Sequence, residues 1–243
     1  EGPDQIRGWW NSQLITSVIT FGKAPFRNIL FHGFVLDAHG NKMAKSKGNI
    51  VAPEEVVQKY GRDVLRYYLV SSPAWDDFYF KWIDVDAVAK SFVVMENTFN
   101  FVKTYVQKAK KVANLKPEDK WILSRLNTTI ESVTTHMHNY SMHKAAVDVH
   151  NFILNDFSRW YIKIIRDRVW PAYEGRDKEA ALYTPKTVAA GAAKLLSAFC
   201  PFLSEHAWQN VCRTLGEKEE SVHLCAWPKP EKKMMNKKME DSM

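Results

Sequence analysis

The 243-residue chain has only three cysteines, Cys200, Cys212 and Cys225, and no C-x-x-C pair. An odd number without paired spacing argues against a disulfide framework and fits a reducing compartment, so a cytoplasmic location is expected. No apolar run reaches the roughly 18–20 residues that a helical membrane span requires, so no membrane partner is expected. Ten glycines and ten prolines are too few for a collagen-like or low-complexity chain. Zinc-type spacing is missing as well. His136, His138, His143 and His150 lie within fifteen residues, but residues 139–141 interrupt any helix that would align them. No metal site is expected from this set. The chain opens on Glu-Gly-Pro rather than Met and shows no signal-peptide pattern.

What is present is ordinary globular material. Hydrophobic residues make up 46% and charged residues 25%, with aromatics at 13%. Lys plus Arg number 34 against 27 Asp plus Glu, a net charge of +7. That excess favours a polyanionic partner such as nucleic acid without requiring one.

Two patterns divide the chain. Up to residue 82 it mixes short apolar runs with Gly and Pro. Residues 7–19 have helical length, and residues 28–36 (NILFHGFVL) read as a buried strand. Pro53, Glu54 and Glu55 suit a helix start, because Pro fits the first turn and acids favour the positive end of the dipole. From residue 83 the periodicity is helical. Residues 85–112, 118–139, 141–170, 179–199 and 204–215 each repeat apolar residues at spacings of three and four, predicting an antiparallel helix bundle over 83–228. Residues 229–243 are lysine-rich and are expected to form a loose tail.

The densest chemical signal is residues 42–49, KMAKSKGN. Lys42, Lys45 and Lys47 beside Ser46 put ammonium groups and a hydroxyl on one polar loop. Such a set suits phosphate oxygens while charge builds up in nucleotidyl transfer. Taken alone, such a run is more often a solvated basic surface. On residues 141–170, Arg159, Lys163 and Arg166 fall at i, i+4 and i+7 and share one face at about 100° per residue. Phe157, Trp160, Tyr161 and Ile164 are predicted on the opposite face. The stripe fits an RNA backbone about as well as it fits a plain solvated face, and Arg125 and Lys144 are expected to extend it.

Read in order, these segments resemble one family. KMAKSKGN is similar to the KMSKS loop of class I aminoacyl-tRNA synthetases. Residues 1–10, EGPDQIRGWW, resemble the EGxDQxRGWF segment of the isoleucyl-tRNA synthetases. HGFVLD at 32–37, YGRDVLRYYL at 60–69, DKWILSRL at 119–126 and SRWY at 158–161 resemble further segments of the same family. The resemblance implies a mostly α chain: the last part of a Rossmann-type catalytic domain with its stem-contact region (1–82), then an anticodon-binding bundle (83–228).

It also implies roles. Lys45, Lys42 and Ser46 would act on the ATP phosphates. Glu1, Gly2, Asp4, Gln5, His32 and Gly33 would help bind ATP and the aminoacyl-adenylate, and Trp9 would wall the amino-acid pocket. Arg159, Lys163 and Arg166 would meet tRNA. The implied partners are ATP with Mg2+, isoleucine and tRNA(Ile), for a monomer. Ala44 stands where the family has Ser, and Trp10 where it usually has Phe. No H-x-G-H sequence occurs, so the chain is expected to be a fragment, inactive alone. An inert RNA-binding module, or the valine or leucine enzyme of the same subclass, stays open at this point.

Overall fold

The computed structural model describes residues 2–106, 112 and 114–243. Within these the chain is mostly helical. A 3-10 turn, Pro3–Ile6, leads into α1 (Trp9–Phe21). β1 (Val35–Leu36) follows, then α2 (Pro53–Tyr60), α3 (Arg62–Val70) and β2 (Phe78–Tyr79). β1 and β2 pair in parallel, Val35 opposite Phe78. The buried strand expected over 28–36 shrinks to these two residues, and Val35 is 44% exposed. A parallel strand is buried only when its faces are covered; among the described residues β1 pairs with β2 and, at Leu36 alone, bridges to Lys42. α1 forms close to the expected limits, yet none of its residues is buried.

α2 begins as its composition requires, with Pro53 at the first position and Glu54 and Glu55 in the first turn. It ends at Gly61, whose φ of 88° suits a residue without Cβ.

The helical body comprises α4 (Trp82–Tyr105), α5 (Pro117–His138), α6 (Met142–Asn151), α7 (Lys163–Ile165), α8 (Lys178–Leu196) and α9 (Pro201–Ala207). The helix expected over 85–112 ends at Tyr105, with Val106 in extended backbone; residues 107–111 and 113 lie outside the described residues. Met95, Val102, Ile122, Val133, Phe157, Tyr161 and Leu195 are fully buried in one core. α5 and α8 approach closely at Gly191, where a Cβ would stand 2.9 Å from Leu126 Cδ2. α8 runs through Pro185. The missing N–H and ring clash are tolerated because its alanine-rich face, Ala189, Ala192 and Ala193, is buried against its neighbours.

Between α6 and α7 the chain winds as a π-helix over Phe152–Ile162. Its turns are wider than α-helical ones, so a 100° wheel loses register. Ile164, predicted to face inward, is 44% exposed, whereas Ile162 and Ile165 are buried.

Arg168 ties the start of α5 to the segment before α8. It forks onto Asp119 at 2.7 and 3.0 Å and also reaches Glu118 at 2.8 Å and Asp177 at 2.6 Å. The Tyr161 hydroxyl donates to Asp119 Oδ1 at 2.7 Å. Asp119 is completely buried, so these bonds replace its lost hydration.

The lysine-rich segment is not loose. It lies along α5 and ends in a short helix, α10 (Lys237–Ser242). Trp227 Nε1 donates to Thr134 Oγ1 at 2.9 Å, the Glu231 N–H to Asn127 Oδ1 at 2.6 Å and the Asn236 N–H to Ser124 Oγ at 2.7 Å. The Glu240 carboxylate accepts from Thr128 at 2.8 Å, from Ser124, and from Arg125 Nη1 at 3.2 Å. Ser124 and Asn127 are buried polar residues of α5, and the segment supplies partners they would otherwise lack. Lysine content alone predicts solvation; the backbone N–H groups and two Met side chains, Met234 and Met239, packed against the core decide otherwise.

Candidate functional site

The lysine loop is built on a turn. Leu36 bridges to Lys42, and the turn between them closes with the Asp37 N–H on Asn41 O at 3.0 Å. Gly40 takes a φ of 82°, which the turn requires. Asp37 accepts from the N–H groups of His39 at 3.0 Å and Asn41 at 2.8 Å through Oδ1. Its other oxygen accepts from Asn49 Nδ2 at 2.9 Å. These bonds, that of Asn49 foremost, hold its carboxyl at a pKa of about 2, below the ordinary 3.8.

Asn49 closes the far end. Its Oδ1 accepts from the Ala44 N–H at 3.0 Å. Between these anchors Lys45–Lys47 form one 3-10 turn, ended by Gly48 at φ 65°. Lys42, Lys45, Ser46 and Lys47 are all exposed. Lys42 Nζ lies 5.4 Å from the centre of the Phe34 ring, a cation–π distance.

His32 and Gly33 precede β1. Gly33 donates its N–H to Ala74 O at 2.7 Å, and a Cβ there would stand 2.2 Å from Asp76 O. Only glycine permits that approach. A cavity of about 220 Å3 borders His32 and Gly33 and is also lined by Leu69, Phe78 and Tyr140. Gly2 is buried, and a Cβ on it would lie 3.8 Å from His32 Cε1. The structure therefore brings Gly2, His32 and Gly33 to one place, continuous through β1 with the lysine loop.

Asp4 and Gln5 pair with each other, Gln5 Nε2 donating to Asp4 Oδ2 at 2.8 Å. Gln5 Oε1 also accepts from the Trp9 N–H at 3.2 Å, which satisfies a first-turn donor of α1. Trp9 is 52% exposed. Glu1 lies outside the described residues.

Arg159, Lys163 and Arg166 are exposed on the π-helix and the turns after it. Arg159 donates to Asn155 at 3.0 Å. Arg125 does not extend this stripe: Asp156 at 2.9 Å and Glu240 at 3.2 Å hold it. The histidines go to separate partners: His150 to Ser91 Oγ at 2.8 Å, His136 to Asp148 at 3.5 Å and His143 edge-on to Trp75 at 5.2 Å. Among the described residues no group of three or more His, Cys, Asp or Glu could hold a metal ion.

Residues 119–243 match the family model described as the anticodon-binding domain of tRNA ligase, and residues 1–81 match that of class I tRNA synthetases (I, L, M and V). The chain belongs to the class I tRNA ligases. Among curated relatives it is similar to the isoleucine–tRNA ligases of Methanothrix thermoacetophila, at 42% identity, and Methanosarcina mazei, at 40%. Each similarity covers 100% of this chain and 24% of the relative, so the chain spans about a quarter of their length. Two solved structures share the fold of this chain. One is an Agrobacterium radiobacter K84 LeuRS–tRNA–LeuAMS complex, with a TM-score of 0.68 at 18% identity, covering 93% of this chain and 27% of that one. The other is Mycobacterium tuberculosis methionyl-tRNA synthetase with methionyl-adenylate, with a TM-score of 0.68 at 21% identity, covering 92% and 49%.

Two residues of the lysine loop, Asp37 and Asn49, escape a reading of the sequence. Their signal is present: Asp before a Gly-Asn turn and Asn after a Gly are typical loop anchors. Their pairing across twelve positions has no local signature.

Proposed function

We propose that this chain supplies the lysine loop, part of the aminoacyl-adenylate site and the anticodon-binding bundle of an isoleucine–tRNA ligase. The parent enzyme would activate isoleucine with ATP and transfer it to tRNA(Ile), as a cytoplasmic monomer. One observation carries the reading. Exposed Lys42, Lys45 and Ser46 sit on a loop anchored at both ends by Asp37 and Asn49, within residues that match the class I synthetase model.

In this reading the three groups face the ATP phosphates. The reaction is in-line attack of the isoleucine carboxylate on the α-phosphorus, with pyrophosphate leaving. Lys45 and Lys42 offset the charge that grows on the departing oxygens, and Ser46 donates a hydrogen bond. An anchored loop gives that stabilisation without reorganising at the moment of reaction. Any Mg2+ would arrive on the ATP phosphates. Glu1, Gly2, Asp4, Gln5, His32 and Gly33 are assigned to ATP and the adenylate, and Trp9 to the isoleucine side chain through a flat apolar face. Residues 1–82 are assigned to the catalytic and stem-contact part and 83–228 to the bundle, where Arg159, Lys163 and Arg166 meet RNA phosphates.

Two titrations test this. ATP should bind the chain, and Lys45→Ala should weaken it at least tenfold; unchanged binding would remove Lys45 from the site. An isoleucine tRNA transcript should bind with a salt-dependent affinity that Arg159→Gln, Lys163→Gln and Arg166→Gln together reduce. Salt-independent binding would end the RNA assignment.

A further inference from the structure

The segment from Trp227 to Ser242 is bonded to α5 from Thr134 back to Trp121, whose Nε1 donates to Glu240 O at 3.4 Å. At about 1.5 Å per residue that stretch of α5 is roughly 20 Å long, several nucleotide steps of about 3.4 Å rise. None of its anchors is a lysine. Backbone N–H groups of Glu231 and Asn236, the Trp227 indole and the Glu240 carboxylate make the attachment. Lys229, Lys232, Lys233, Lys237 and Lys238 are all exposed. None of the five enters an ion pair among the described residues. The acids of the segment do not cancel them: Glu231 and Asp241 are exposed, while Glu240 is taken up by Arg125.

We infer that this docked segment is a pre-ordered basic strap that binds RNA phosphates. The inference rests on the RNA-binding reading above and adds a second RNA-facing surface to it. Lysines on a fixed strip lose less conformational freedom on binding than lysines on a loose tail. The strap also ends next to the first surface. Trp121, which bonds Glu240, packs on Trp160 with ring centres 4.1 Å apart, and Arg159 precedes Trp160 in the chain.

The test uses the whole 243-residue chain and an isoleucine tRNA transcript, titrated at several salt concentrations. Lys232→Gln, Lys233→Gln, Lys237→Gln and Lys238→Gln combined should lower the slope of log affinity against log salt by roughly 0.7–0.9 for each phosphate that is no longer neutralised. A second variant, Ser124→Ala with Asn127→Ala, keeps every charge but removes the acceptors of the Asn236 and Glu231 N–H groups, and should also weaken binding. Thermal unfolding by circular dichroism checks that both variants are folded. A wild-type slope in the lysine variant overturns the strap, and so does undiminished affinity in the loosened variant. If the strap variants bind normally while the Arg159, Lys163 and Arg166 variant does not, the strap alone falls. If the wild-type chain itself binds no transcript, the RNA reading falls, and the strap with it.

Discussion

Asn49 donates from Nδ2 to Asp37 Oδ2 at 2.9 Å and so joins the two ends of the lysine loop. The same amide accepts the Ala44 N–H at 3.0 Å. One side chain therefore sets the path of three exposed lysines.

Replacing Asn49 by Ala should loosen the loop. It removes one hydrogen bond to a charged carboxylate and one to the backbone. Local opening should rise about tenfold. Tryptic cleavage after Lys42, Lys45 and Lys47 is the readout; an unchanged cleavage rate would show that Asn49 does not hold the loop.

Acid should do the same reversibly. Asp37 has a folded pKa of about 2 against an ordinary 3.8. A depressed carboxyl contributes stability that is complete above the ordinary value and is lost as pH falls towards 2. The loop amides of His39 and Asn41 should stay protected above pH 5 and exchange faster below about pH 4. In Asp37→Asn this step should vanish from the hydrogen-exchange profile.

Arg168→Ala should be severely destabilising. It leaves Asp119 buried without its forked partner and frees Glu118 and Asp177. A loss of about 3–5 kcal/mol is expected from breaking a buried pair by one partner. Arg168→Lys should recover only part of this, since an ammonium cannot fork. Urea unfolding measures both.

His150 should make stability pH-dependent near neutrality. Burial lowers its pKa below the ordinary 6.5, with the Arg159 charge adding to the effect against a bond to Asn151. It stacks on Tyr67 at 4.9 Å. The unfolded chain takes up a proton more readily, so stability falls as pH drops from 6.5 towards the lower folded value and is level above about pH 7.5. His150→Gln should flatten that slope in urea unfolding between pH 5 and 8.

The sequence alone determined the helices and the order of the functional segments. Spacings of three and four place Met95, Val102, Ile122 and Val133 in the core, because helical periodicity is local. Pro53 and Pro117 mark helix starts, because their geometry acts within one turn. The lysine loop and the basic stripe were legible in the same way, as residue types at short spacing. Only the tertiary structure decided the rest. The π-helix that turns Ile164 outward, the Asp37–Asn49 clamp, the capture of Arg125 by Glu240 and the docking of the lysine-rich strap all join residues far apart in the chain or depend on what packs beside them. Their free energies come from desolvated polar groups finding distant partners, and no local pattern records which partner is found.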